Sequence, residues 1–225
     1  MQTLTNTAFA IRQGSENNQP KRRKSDPTIK YLTQKELERF FKAIKDSNNK
    51  FWLRDLTAFT IIYLCGLRAS ELQYITLESY NPNAKEIHIK RLKGSISNTI
   101  RIIQPDKIRL IERFIKEYTG SKLYQINNTS DPMFKGKNGK PLDLEALRYL
   151  MKMYGSIAKL PKDKQHPHIL KHSIAVHLAE SGIDVKDLQY YLGHRNINNT
   201  TIYFQYTTKQ MDSFYNKLKL NNELV

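Results

Sequence analysis

Between residues 166 and 206 the sequence reads HPHILKHSIAVHLAESGIDVKDLQYYLGHRNINNTTIYFQY, and Gly182 and Gly193 divide it into pieces that suit only short helices. Apolar residues at Ile169, Leu170, Ile174 and Leu178 recur at three- and four-residue spacing, which predicts a helix with one buried face. Gly182 ends it. Asp184 is placed to cap a second helix carrying Leu188, Tyr191 and Leu192, with Asp187 three residues on as a weak capping box and Gly193 as the stop. A third helix is expected to begin near Asn199 or Thr200. His168 and Lys171 then stand at a helix start, His194 just past a helix end, and Tyr203 in the first turn of the third helix. Polar groups gathered at helix termini suit a site that holds an anion.

The upstream chain predicts the frame for these pieces. Thr33-Gln-Lys-Glu36 is a capping box that opens an amphipathic helix with Leu37, Phe40, Phe41 and Ile44. A second helix over 51–65 carries Trp52, Leu56, Phe59, Ile62 and Tyr63, which read as core rather than as base-stacking groups. Gly66 breaks it, so Arg68 leaves the core surface at the start of a new helix with Glu71 on the same face. Taken alone, that pair reads as a surface ion pair. Residues 86–89 and 99–103 alternate in the manner of strands around a loop at 94–98, predicting a hairpin that carries Lys90, Arg91 and Lys93. Such a basic hairpin is either a charged edge that blocks aggregation or a device that reaches into a groove. Helices over 105–118 and 143–154 follow and read as structural.

Residues 1–30 lack periodicity and predict a disordered or extended tail. Its cluster Lys21, Arg22, Arg23, Lys24 is either a solvated tail or an arm that tracks phosphates without choosing sequence. Residues 31–207 form the main domain. Residues 208–225 add a helix or tail with Met211, Phe214, Tyr215 and Leu218 on one face, placed to pack on this chain or on a neighbouring protomer.

A formal net charge of +16 and a pI near 9.8 in 225 residues favour a polyphosphate partner, which would relieve the self-repulsion. A membrane partner is disfavoured, because no apolar run approaches ~20 residues and no signal-peptide pattern opens the chain. With Cys65 as its single cysteine the chain cannot hold a disulfide, and a reducing cytoplasm is expected. Cys65 itself reads as a buried small hydrophobe. His168 and His172, four residues apart, have zinc-binding spacing, but no glutamate stands as in H-E-x-x-H and no third ligand is evident, so neither metal nor cofactor is expected. A helix-turn-helix over 178–191 is the other competing motif.

Four motifs stand in order along residues 30–206: Gly66-Leu67-Arg68-Ala-Ser-Glu71-Leu72, Leu92-Lys93-Gly94, His168-Ile-Leu-Lys171-His172, and Leu192-Gly193-His194 with Tyr203 nine residues on. This pattern resembles the catalytic domain of the tyrosine recombinases, or phage integrases. In layout it is most similar to the short fimbrial-switch DNA invertases, which share H-P-H-x-L and L-G-H-R-N and whose catalytic domain also stands alone. The resemblance implies a mainly α fold with a small antiparallel β-hairpin or sheet (α+β), without the separate N-terminal helical domain that clamps DNA in many members. It implies a cofactor-free site-specific recombinase acting on duplex DNA as a homotetramer on two paired sites, associated with the nucleoid in the cytoplasm and aided by DNA-bending proteins.

By the same resemblance Tyr203 is the nucleophile, Arg68 grips a phosphate oxygen and Lys93 is the general acid. His168 and His194 bind phosphate or accept the tyrosine's proton, while Lys90, Arg91 and Arg195 join the tail cluster in binding DNA. His172 is left a packing or supporting role, and His177, placed on the polar side of its helix, none. The pattern departs at one point: Lys171 stands where the family has its second arginine. That keeps the charge and loses the bidentate grip. The swap leaves open a DNA-binding regulator or accessory protein of the same fold, and a type IB topoisomerase-like activity is the other enzyme of this chemistry.

Overall fold

The structure is a computed structural model, and it describes residues 29–92, 94–118, 128–136 and 139–204. The tail cluster at 21–24, Lys93 and the apolar stripe after Tyr206 lie outside the described residues.

Seven α-helices and a three-stranded antiparallel sheet are described, in the order α1 (Gln34–Lys45), α2 (Trp52–Leu64), β1 (Tyr80–Asn81), β2 (Glu86–Ile89), β3 (Asn98–Arg101), α3 (Pro105–Tyr118), α4 (Leu144–Ile157), α5 (His168–Glu180), α6 (Val185–Leu192) and α7 (Asn198–Thr201). α1 starts where its sequence says it should. Thr33 Oγ1 accepts from the Glu36 amide at 3.3 Å and Glu36 Oε2 accepts from the Thr33 amide at 2.8 Å. Its apolar stripe, Leu37, Phe40, Ala43 and Ile44, is buried against α2 and α4.

Two helices form the axis of the molecule. α2 is buried nearly all round, from Leu53 to Leu64, with Trp52, Leu56 and Tyr63 half-buried at its margin. α5 packs against it and is likewise enclosed on most sides, by Ile169, Leu170, Ile174, Ala175, Val176 and Ala179. The expectation of a polar side on α5 is therefore corrected. His177 is buried, with its Nδ1 2.9 Å from the Tyr63 hydroxyl.

The sheet has the order β1-β2-β3, with Ile87 opposite Ile100 and Ile89 opposite Asn98. Ile87, Ile89 and Ile100 turn into the core while His88 and Thr99 face out, the alternation that a sheet with one wet face requires. The short β1, paired with β2 through Tyr80 and Ile87, adds a strand to the expected hairpin.

The two motif glycines act at the same place. Gly66 has φ +54 and ends α2; a Cβ there would lie 2.8 Å from Leu192 Cδ2. Gly193 has φ +66 and ends α6; a Cβ there would lie 2.6 Å from the Ile96 carbonyl oxygen. Each supplies a left-handed backbone, and each lets a neighbouring element approach closer than a side chain permits. Gly193→Ala is expected to cost more than the ~1–2 kcal/mol of the left-handed backbone alone, because the clash is with a carbonyl and not with a movable side-chain tip. A denaturant midpoint within experimental error of wild type would contradict this reading.

Candidate active site

The C-terminal ends of α2 and α6, the hairpin and the start of α5 meet around one buried carboxylate. Glu71, in the 3₁₀ turn Ala69–Tyr74, has a fully buried side chain. Its Oε2 accepts from the Arg68 amide at 2.8 Å and from Arg91 NH1 at 3.2 Å; its Oε1 accepts from Arg68 NH1 at 3.0 Å and from the Leu92 amide at 3.1 Å. Burial alone would raise its pKa, but the Arg68 and Leu92 amides and the charges of Arg91 and Lys171 hold it below the ordinary value. Arg68 is thereby fixed at the rim, half-buried, and NH1 also donates to Ser95 Oγ at 2.8 Å.

Arg91 does not face a groove. Its guanidinium is buried and donates to Gly66 O, Cys65 O and Tyr191 O, each at 2.9 Å, and to Asn98 Oδ1 at 3.1 Å, besides Glu71. The expected DNA contact at Arg91 is thus corrected to a structural clamp. It leaves the strand edge because the two helix ends offer unpaired carbonyls that a planar, five-donor group satisfies. Lys90 and Arg195 are exposed, as a DNA-contacting role requires.

Lys171 is also turned inward. Only 2% exposed, its Nζ donates to Gly66 O at 2.8 Å and lies 3.4 Å from Leu192 O, so it braces the same two helix ends. Burial, then the positive charges of Arg91 and Arg68, bring its pKa down to about 7 against the opposing pull of Glu71. A phosphate grip by Lys171 would require the amine to leave these carbonyls.

His168 stands exposed at the first turn of α5, its ring 5.1 Å from that of His172. His194, just past α6, is buried with Nδ1 3.0 Å from Thr200 Oγ1. Tyr203 lies beyond the C-terminus of α7 instead of in its first turn, because α7 begins at Asn198 and is only one turn long. Its ring fills a small core cluster with Ala175, Val176, Ala179, Leu188 and Leu192, and its hydroxyl is 3.1 Å from His172 Nδ1. Burial raises the Tyr203 pKa to about 12, opposed by Arg68.

Withdrawal from water is the leading cause of the shifts at His168, Lys171, His194 and Tyr203, and the charge of Arg68 bears on all four. The structure therefore gathers Arg68, His168, Lys171, His194 and Tyr203 into one electrostatic neighbourhood. Beside it opens a cleft of about 290 Å³, lined by Arg68, Ser70, Leu144, Arg148, His166 and His168. Neither Arg148 nor His166 falls at a position of the four motifs that the sequence singles out. A larger groove between α1, α2 and α3, about 540 Å³ and lined by residues such as Phe41, Trp52 and Arg113, contains none of the site's groups. Among the described residues no three His, Cys, Asp or Glu side chains converge as a metal cluster would.

His172 and His194 carry an acid-sensitivity. Burial, with neighbouring positive groups, holds both near about 4 against an ordinary 6.5, so both are neutral in the folded protein at pH 7. Their contribution to stability is complete above pH 6.5 and is lost as the pH falls toward 4, because the unfolded chain takes up the protons first. Each ring is expected to remove up to about 1.4 kcal/mol per pH unit across that window. Urea titrations across it, with a His172→Asn, His194→Asn double variant as control, should show the variant's slope to be the shallower.

Two arginines and two imidazoles, Arg68, Arg148, His166 and His168, line the cleft, a donor-rich opening of the kind that suits an anion. The chain belongs to the phage integrase family, whose sequence model matches residues 30–210. It is 28% identical over 188 residues to the tyrosine recombinase XerD of Vibrio cholerae serotype O1, covering 84% of this chain and 61% of that protein. It is 29% identical over 196 residues to the tyrosine recombinase XerA of Pyrococcus furiosus, covering 87% and 64%. The chain thus spans about three fifths of the length of these curated relatives. Among solved structures, a XerA recombinase superposes with a TM-score of 0.70 at 19% identity, covering 86% of this chain and 66% of that one, which shows the shared fold. The integrase of the transposon Tn1549, solved in complex with circular intermediate DNA, superposes with a TM-score of 0.68 at 25% identity, covering 87% and 68%. No helix among the described residues is long and apolar enough to cross a membrane.

Proposed function

We propose that this chain is a site-specific DNA recombinase that cuts and rejoins duplex DNA through Tyr203. The observation that carries the proposal is a run of contacts on a fold of the phage integrase family: the Tyr203 hydroxyl lies 3.1 Å from His172, the His172 ring lies against that of His168, and His168 lines one cleft with Arg68. Attack of the Tyr203 oxygen on phosphorus leaves a 3′-phosphotyrosine, and the conserved bond energy serves rejoining. Arg68, oriented by Glu71, takes a non-bridging oxygen with its planar fork, and His168 and His194 add hydrogen bonds where charge develops. Lys93 supplies the proton to the departing 5′-oxygen. The relatives' names support DNA recombination, and the Tn1549 complex supports duplex DNA as the partner. A homotetramer on two paired sites, helped by DNA-bending proteins at the nucleoid, is the assembly in which this reaction exchanges strands.

One observation favours a second reading. Lys171 is spent on two backbone carbonyls and leaves Arg68 as the only arginine of the family's pair, so a protein retained for DNA binding fits as well. Covalent trapping decides between them. The full chain is incubated with fragmented DNA from its source and denatured, and DNA that stays attached to protein is sequenced. An adduct at a recurring site establishes strand cleavage. Its absence in wild type with its appearance in Lys171→Arg establishes the binder, and recombination of two marked sites separates recombinase from topoisomerase.

A further inference from the structure

We propose that His172, which the motif reading leaves to packing, is a catalytic residue: its Nδ1 accepts the phenolic proton of Tyr203 as the phosphate is attacked, and returns it on rejoining. The inference rests on the strand-transfer reading above. Its basis is a contact, since His172 Nδ1 lies 3.1 Å from the Tyr203 hydroxyl, a hydrogen-bond distance, with the rings 5.9 Å apart. Neither of the other imidazoles is recorded on that oxygen. His194 has Nδ1 on Thr200 Oγ1, and His168 stands at the opening, with its ring against that of His172.

The geometry suits a base. α5 is held on nearly all sides, and the half-buried His172 ring is fixed on it one residue from Lys171, so the acceptor is set before substrate arrives. Tyr203 is fixed in turn by its own core cluster. A phenol with a pKa pushed up to about 12 does not ionise unaided near neutrality, so attack needs an acceptor within reach. With its ring proton on Nε2, neutral His172 presents the Nδ1 lone pair to the phenol. Positive charge opposes protonation of the ring: His168 and Lys171 on α5 and His166 just before it bear on His172, and Arg68 bears on Tyr203. A phosphate entering beside Arg68 and His168 brings the compensating negative charge, which couples proton uptake to substrate binding.

The step balances. The Tyr203 oxygen forms a bond to phosphorus, its proton passes to His172 Nδ1, the bond from phosphorus to the 5′-oxygen breaks, and that oxygen takes its proton from Lys93. On rejoining, the 5′-hydroxyl gives its proton back to Lys93 as it attacks phosphorus, the bond from phosphorus to the Tyr203 oxygen breaks, and the departing phenolate recovers its proton from His172.

The test uses the full chain and the DNA site recovered by trapping, prepared with an oxygen or a sulfur at the 5′-bridging position of the scissile phosphate. A thiolate leaves without a proton, so the sulfur substrate reports on the nucleophile alone. Two variants are compared: His172→Phe, which removes the acceptor, and His172→Asn, whose amide oxygen accepts a hydrogen bond from the phenol but takes no proton. Both are expected to lose at least about 100-fold in cleavage on the oxygen and sulfur substrates alike. The residual rate of His172→Asn should climb about tenfold per pH unit where wild type is flat, as hydroxide replaces the missing base. Wild-type rates in His172→Asn would overturn the proposal, as would a defect that the sulfur substrate repairs, which would place His172 on the leaving-group side. Absence of any wild-type adduct is a different failure, since it removes strand transfer itself and this inference with it.

Discussion

Tyr203→Phe is expected to leave the protein folded and bound to DNA while erasing the covalent adduct. The ring belongs to the cluster formed by Ala175, Val176, Ala179, Leu188 and Leu192, and phenylalanine fills that space. Only the hydroxyl and its bond to His172 are lost, a net change of about 1 kcal/mol in stability. The chemical loss is of another order. With the attacking atom gone, what remains is the binding and polarisation of a phosphate with nothing to attack it, and a drop of roughly four to six orders of magnitude in cleavage is expected from the loss of a nucleophile. Gel retardation together with denaturing electrophoresis reads both halves at once. A variant that retains the adduct would place the attacking oxygen elsewhere and sink the assignment.

The largest effect on stability is expected at Arg91. Its guanidinium is the shared donor that ties the carbonyls of Cys65, Gly66 and Tyr191 and the carboxylate of Glu71 into one network. Arg91→Met removes the cation and leaves Glu71 buried, at a cost of about 3–5 kcal/mol. That is a large part of the ~5–15 kcal/mol that holds a domain of this kind together. Arg91→Lys should recover only part of it, because an ammonium cannot present the planar fork that reaches five acceptors. Glu71→Gln in the Arg91→Met background removes a buried charge that has lost one of its two arginine partners and should restore some stability, a coupling that urea denaturation of the two single variants and the double variant measures directly. An Arg91→Met variant that unfolds within about 1 kcal/mol of wild type would show that water reaches the network.

Much of this was legible in sequence where the cause is local. The Thr33–Glu36 box, the stops at Gly182 and Gly193 and the cap at Asp184 act within a few residues, and the helices begin and end beside them. The Arg68–Glu71 pair was also legible, as three residues apart. What was not legible depends on partners far along the chain. β1 is two residues long and exists only because β2 lies beside it. Arg91 reads as one of a row of basic residues, and its burial is decided by helix ends at 65–66 and 191. The periodicity of α5 marks one apolar face, yet Tyr63 of α2 and Tyr31 close over another, which takes His177 inside. His172 sits beside the motif lysine and reads as packing until Tyr203, 31 residues on, is seen against it.

The hairpin is tied to α6 by bonds at several heights: the Ile96 amide to Gly193 O at 2.9 Å, Asn98 Nδ2 to Tyr190 O at 2.7 Å, and Arg91 NH2 to Tyr191 O at 2.9 Å. Segments that carry groups from two distant motifs therefore share one seam, and their parts are not interchangeable one at a time. A chimera that borrows the hairpin from a relative must borrow the turn at 190–193 with it. Substitutions on one side of the seam should be tolerated only when matched on the other, so diversity in this molecule is expected to arise by paired replacement along the seam, and not by independent drift of its loops.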